Sequence, residues 1–197
     1  SIMSKKIAIG ASHLLLDVKY GSGAFMKTLD LAIILAETMV EIGRNAGIHT
    51  VAAITSMEQP LGKAVGNALE VAEALDVLRG TGPADVTALC YHEVTELLLM
   101  TGKASDLPSA EACVHQAIQS GAALAVFLSV ISAQGGDTHI LEQPHLLFSA
   151  PVKQMLSAPK SGYIAYIDAE QVGLVSMELG AGRFKKGDPI DHRTGLI

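Results

Sequence analysis

Tryptophan is absent from the 197 residues, and Tyr and Phe supply four residues each. With aromatics at 4%, the chain holds no stock of stacking platforms of the kind that grip single-stranded nucleic acid. Positive charge is also short: 14 Lys and Arg face 20 Asp and Glu, a net charge of -6 that argues against non-specific binding to nucleic acid or an anionic membrane. Cysteine is limited to Cys90 and Cys113, both in apolar helical patterns without C-x-x-C spacing. Both are expected to be inert buried thiols in a reducing cytoplasm. Apolar runs are broken by charge or glycine before the ~18 residues of a membrane span, and no basic leader with a cleavage site opens the chain. These absences lead to the expectation of a soluble, cytoplasmic protein with no nucleic-acid or membrane partner.

What is present is apolar bulk. A hydrophobic content of 49% can fill a sizeable core and excludes a disordered chain, and the length suits one domain, or one domain with a piece of another. The chain opens on Ser1 rather than Met and ends at Asp191 to Ile197 as an apolar run restarts, so it is expected to be a piece of something longer.

The stretch from Leu14 to Thr28 organises the rest. A short apolar run, with Asp17 and Lys19 at its end, breaks into the turn Gly21-Ser22-Gly23 and then a helix capped by Thr28. Ahead of it, residues 1–10 are expected to form a short helix stopped by Gly10. Behind it, Leu31, Leu35, Ala36, Met39, Ile42 and Ala46 mark the apolar face of a helix that ends at Gly47, and His49 to Thr55 reads as a second buried strand. Strand, helix, strand at this spacing is a right-handed parallel βαβ unit, with both following turns at one edge of the sheet. Helices are expected over Ala64 to Arg79, Pro83 to Met100, Ser109 to Ser120 and Ala122 to Ala133. Pro144 to Lys160 reads as a connector, Gly162 to Asp168 as a strand and Ala169 to Leu179 as a helix. So few strands leave both sheet edges exposed, and further strands are expected to lie outside this sequence.

Several motifs fall short on physical grounds. Gly21-Ser22-Gly23-Ala24-Phe25-Met26 approaches the dinucleotide fingerprint, but Met26 stands where a third glycine must allow close strand and helix packing. A plain βα turn and a ligand-lining turn both stay open, since Asp17, Lys19 and Lys27 surround it. His92-Glu93-Val94-Thr95-Glu96 resembles a zincin helix with Glu96 in place of the second His, and no third zinc ligand is placed nearby, so it reads as a solvated helix face. At the start of the chain, Ser1 and Lys5 lie one helical turn apart and can project a hydroxyl and an ammonium from one face. A solvated helix start is the plain alternative.

Taken together, Ser1-Ile2-Met3-Ser4-Lys5-Lys6, Asp17-Val18-Lys19 with Gly21 to Lys27, Gln59-Pro60-Leu61-Gly62 with Val65 to Val71, Ala133 to Asp137 and Met177 to Arg183 resemble the thymidine and pyrimidine-nucleoside phosphorylase family. The resemblance implies reversible phosphorolysis: inorganic phosphate displaces the base of a pyrimidine nucleoside, giving free base and (deoxy)ribose 1-phosphate. It implies that Ser1 and Lys5 bind the pyrimidine, that Phe25 lines its pocket, and that Lys5 carries the catalytic role by stabilising charge on the departing base. It also implies a monovalent cation, potassium, held by the carbonyls of Leu61 and Ala64 and the carboxylate of Glu73. The family is a homodimer with a small helical and a large α/β domain.

On that basis the fold class is α/β: part of a mixed or parallel-sheet large domain with a helical layer, preceded by the last helix of a small helical domain and followed by a truncated C-terminal α+β portion. The expected divisions are residues 1–10, 11–143, 144–160 and 161–197. The family's phosphate loop lies outside this sequence. A non-catalytic fragment of the family and a phosphoribosyltransferase of the same fold remain alternative readings.

Overall fold

The computed structural model describes residues 2–143 and 150–197. Two parallel strands, β1 (His13–Tyr20) and β2 (His49–Ser56), form the sheet, with Asp17 level with Ala53 and Lys19 level with Thr55. Helix α2 (Leu29–Asn45) connects them, so the expected βαβ unit is present and both strands run out at the same edge.

Period-2 alternation decides the two faces of β1. Leu16 and Val18 point to one side, where they pack with Ala32, Ala36 and Met39 of α2 and with Met3 of α1 (Ile2–Ile9). Asp17 and Lys19 point to the other side, the side on which α4 (Ala84–Met100) lies against β1. Beyond α4 come α5 (Leu107–Gln119) and α6 (Ala122–Ala133), so the layers run α1 and α2, sheet, α4, α5, α6. The buried stripe of α2 is Ala32, Ala36, Met39 and Gly43. Leu31 and Ile42, expected on that face, are exposed. The helix runs closest to the sheet at Gly43, where a Cβ would overlap the Thr50 side chain.

Local chemistry explains most boundaries. Thr28 accepts a hydrogen bond from the Leu31 amide and so starts α2. Asp106 and Ser109 close a reciprocal capping box that starts α5 at Leu107, two residues before the expected Ser109. Helix α3 (Asn67–Leu78) starts later than the expected Ala64, because Val65 is taken up in an antiparallel bridge with Leu196 and Gly66 stands at a φ of 145°. Leu75 of α3 is fully buried.

Past a single turn, α7 (His139–Glu142), the expected strand at Gly162 to Asp168 does not form; that stretch is irregular. No neighbouring strand among the described residues offers it a ladder, and an isolated strand has no partner for its backbone groups. Helix α8 (Ala169–Ser176) follows and passes into a π turn, Met177–Ala181. Pro144 to Ser149 of the expected connector lie outside the described residues. No single helix among the described residues is long and apolar enough to cross a membrane.

Candidate functional site

The loops after the two strands stack on each other at the sheet's carboxyl edge. The Gly23 amide donates to the Met57 carbonyl at 3.0 Å, and the Met57 amide to the Tyr20 carbonyl at 2.6 Å. The Ser22 hydroxyl donates to the Glu58 carbonyl at 3.0 Å, and the Ser22 amide to Glu58 Oε2 at 3.2 Å. Gly21 donates to Met26, closing the turn on itself. These amides are therefore spent inside the protein, which rules the turn out as a ready-made phosphate cradle. What it does present is Phe25, 98% exposed at its tip.

Helix α8 braces the same turn from outside. The Ala169 amide donates to Ser22 Oγ, and Lys27 Nζ joins the Ser22 carbonyl at 2.7 Å to Glu170 Oε2 at 3.3 Å. Residues 147 positions apart in the chain thus hold one loop in place, a contact no local pattern announces.

Helix α1 is anchored through Met3, 5% exposed. At 100° per residue, Lys5 lies about 200° around the helix from Met3, whereas Lys6 lies about 60° from it. Lys5 is accordingly exposed and Lys6 half-buried. The two lysines are not equivalent: only Lys5 is turned away from the core with its ammonium in the open. Ser1, its expected partner, lies outside the described residues.

Below the stacked turns, the loop from Leu61 to Gly66 is held by three carboxylates. Glu73 Oε1 accepts from the Lys63 and Ala64 amides at 2.8 and 3.1 Å, Asp85 Oδ2 from the Gly62 amide at 2.9 Å, and Glu70 Oε1 from the Gly66 amide at 3.0 Å. The Gly62 bond holds the Asp85 carboxyl below its ordinary 3.8. Glu73 Oε2 lies over Gly62, in the space a Cβ there would need. Leu61, Ala64 and Glu73 line one cavity of about 400 Å³, walled on the other side by Gly23, Ala169 and Val172. The structure therefore brings the three expected cation ligands together, while Lys5 and Phe25 stand on other parts of the surface. Among the described residues, no cluster of three or more His, Cys, Asp and Glu side chains forms a metal site.

Two expectations need correction. Cys113 is exposed, not buried; Cys90 is half-buried and its thiol is pushed up by that burial. In the segment from His92 to Glu96, His92 is exposed as expected, but Glu93 is turned toward β1, with a buried Oε1. Reading the segment as a zinc motif or a solvated face hid it; the signal was its position on the helix that must cover the Asp17 side of the sheet.

A parallel sheet layered between helices, with its loops and a cavity at the carboxyl edge, defines an α/β protein, the class of fold in which that edge is where ligands are usually held. More specifically, the chain belongs to the glycosyl transferase family: residues 1–124 match the model of that family's a/b domain. Residues 163–197 match the model of the pyrimidine nucleoside phosphorylase C-terminal domain. Over all 197 residues the chain is 48% identical to the pyrimidine-nucleoside phosphorylases of Staphylococcus aureus strains USA300, COL and N315, and it spans 46% of the length of each. The two matched segments meet at the site. Residues 191–196 dock on the start of α3 through the Val65 and Leu196 pair and the bond from the Ala68 amide to the His192 carbonyl, and α8 docks on the glycine turn.

Proposed function

We propose that the chain forms the base-binding half of a pyrimidine-nucleoside phosphorylase. The 48% identity along its whole length to phosphorylases of that name carries the proposal. In the reaction, an oxygen of inorganic phosphate forms a bond to the sugar C1′ as the bond from C1′ to the base nitrogen breaks, and the base leaves with the electron pair. The transition state is oxocarbenium-like, so the protein's task is to stabilise negative charge arriving on the base.

Lys5 is suited to that role because α1 holds its ammonium away from the core, on a helix fixed by Met3. Ser1, four residues earlier in the sequence, is assigned the hydroxyl for the same edge of the base, and Phe25 offers its ring as an apolar wall. The phosphate group is bound by residues beyond this chain, and the active form is a homodimer.

Potassium is the cation we assign to Leu61, Ala64 and Glu73. The donor set fits: two backbone carbonyls and one carboxylate are hard oxygen ligands, and the three residues already share a cavity wall. Glu73 spends Oε1 on two amides, which leaves Oε2 to meet a cation. When bound, potassium would neutralise Glu73 and tie the Leu61 to Ala64 loop to α3, on which the C-terminal segment also rests.

The test is Lys5→Ala against Lys6→Ala in the full reading frame, assayed for base release from uridine and thymidine with phosphate. Removing Lys5 is expected to lower turnover by about 10²–10³-fold, the cost of losing a fixed donor at a developing anion, while Lys6→Ala stays within a few-fold. Equal, mild losses would remove Lys5 from the site.

A further inference from the structure

Between β1 and α4 lies a polar cluster to which the proposed reaction assigns no role. Asp17 Oδ2 pairs with Lys19 Nζ at 2.6 Å, Asp17 Oδ1 accepts from the Thr55 hydroxyl, and Lys19 Nζ donates to Thr55 Oγ1 at 2.7 Å. The side chains of Asp17 and Lys19 are each about three-quarters covered, although Asp17 as a whole residue is exposed at the sheet surface. Helix α4 packs on β1 and sets Glu93 beside Asp17 and Lys19. The Glu93 Oε1 is buried, and no hydrogen-bond donor reaches it.

The charges do not balance as drawn. One ammonium, already committed to Asp17 and Thr55, cannot neutralise two carboxylates, and a half-buried carboxylate oxygen without a donor is costly. A proton resolves both problems. We propose that Glu93 and Asp17 share one proton, Glu93 donating it as a carboxylic acid to the Asp17 carboxylate, so that α4 is fastened to the sheet by a proton-holding site. Asp17 can accept this bond as well as those of Lys19 and Thr55, because each carboxylate oxygen has two lone pairs.

The other groups facing Glu93 are few. From β1 they are Asp17 and Lys19; from α4 itself, Cys90 and His92, with His92 exposed. β2 adds the Thr55 hydroxyl, which does not titrate near neutrality. Burial is the largest cause raising the Glu93 carboxyl, followed by the Asp17 charge and by Asp17 as the acceptor for a proton held on Glu93; Lys19 and His92 oppose these and do not cancel them.

The consequence is a sheet-to-helix lock that weakens as pH rises. A carboxyl raised in the folded state contributes full stability below its ordinary value of 4.5, and the contribution is lost as pH climbs through the raised value. Above that point two carboxylates confront each other across the interface, and α4, with α5 packed on it, is the element that loosens.

The direct measurement is the pH titration of the Glu and Asp side-chain carboxyl carbons by NMR in the 197-residue chain, with Glu93→Gln and Asp17→Asn assigning the two resonances. One midpoint above 4.5 at Glu93, moving down when Asp17 is replaced by Asn, supports the site. A Glu93 midpoint at or below 4.5, or a raised midpoint carried by Asp17 instead, overturns it. Stability gives a second readout: the advantage of Glu93→Gln over the wild type, from urea unfolding, should grow with pH above 4.5 and then level off. A difference that stays flat from pH 4 to 9 also overturns the proposal.

Discussion

At Gly21 the backbone holds φ at +118°, and a Cβ placed there would lie 2.7 Å from the Glu58 nitrogen and 2.9 Å from the Met57 carbonyl carbon. Both neighbours are main-chain atoms of the second turn, so neither can rotate away. Gly21→Ala therefore meets two costs: about 1–3 kcal/mol for an L-residue in a sparsely populated region, and a further ~1–3 kcal/mol for forcing the stacked turns apart. Gly47 supplies the control. It sits at φ +74° with nothing within 4 Å of a Cβ, so Gly47→Ala carries only left-handed strain, about 1–2 kcal/mol. Urea unfolding followed by far-UV circular dichroism reads both. Gly21→Ala is expected to lose about 4 kcal/mol, or about 8–16 °C in melting temperature for a chain of this size, and clearly more than Gly47→Ala. Equal losses at the two positions would show that the turns after β1 and β2 are not in contact, and the stacked edge described above would fall with them.

Other perturbations have simpler signatures. Leu75→Ala, at a fully buried position of α3, should cost about 2–5 kcal/mol in the same assay; a loss under about 1 kcal/mol would mean that α3 is not packed as described. Asp85 accepts the Gly62 amide and its carboxyl is held below 3.8 by that bond. Its contribution is present above pH 3.8 and lost as pH falls through the lowered value, so Asp85→Asn should flatten the acid side of the stability profile, and an unchanged profile would contradict the bond. For the cation, potassium chloride should raise the melting temperature of the wild type more than sodium chloride at equal ionic strength, and Glu73→Gln should abolish the difference. A wild type that responds equally to both salts would remove potassium from that cavity.

The βαβ unit and most helix ends could be read in the sequence because their causes are local, whereas Leu61, Ala64 and Glu73 were singled out only by the family resemblance. Thr28 caps the helix that begins one residue later, and Gly10 and Gly47 end segments at the point where the chain needs a left-handed residue. The errors have causes that are not local. Val65 leaves its helix because Leu196, far along the chain, pairs with it. Gly162 to Asp168 has a strand's composition, but no strand among the described residues offers it a ladder. Leu31 and Ile42 have the right period for a buried face, yet the stripe that packs on the sheet runs one residue over, through Ala32, Ala36, Met39 and Gly43.

The candidate site divides along the same line. One chemical feature was visible in the chain itself, an ammonium and a hydroxyl one turn apart at its start; the aromatic at the glycine turn and the glutamate after the Pro-Leu-Gly loop came from the resemblance to a family. That Lys5 faces out while Lys6 leans on the core depends on where Met3 is buried. That Glu73 grips the loop nine and ten residues before it, that Glu170 braces Lys27, and that Glu93 stands beside Asp17 depend on how helices and loops pack in three dimensions. Hydrophobic period and capping act over a few residues and are written in order along the chain. The meeting of charged groups from distant segments is settled only when burial brings them to one place and removes the water that would otherwise keep them apart.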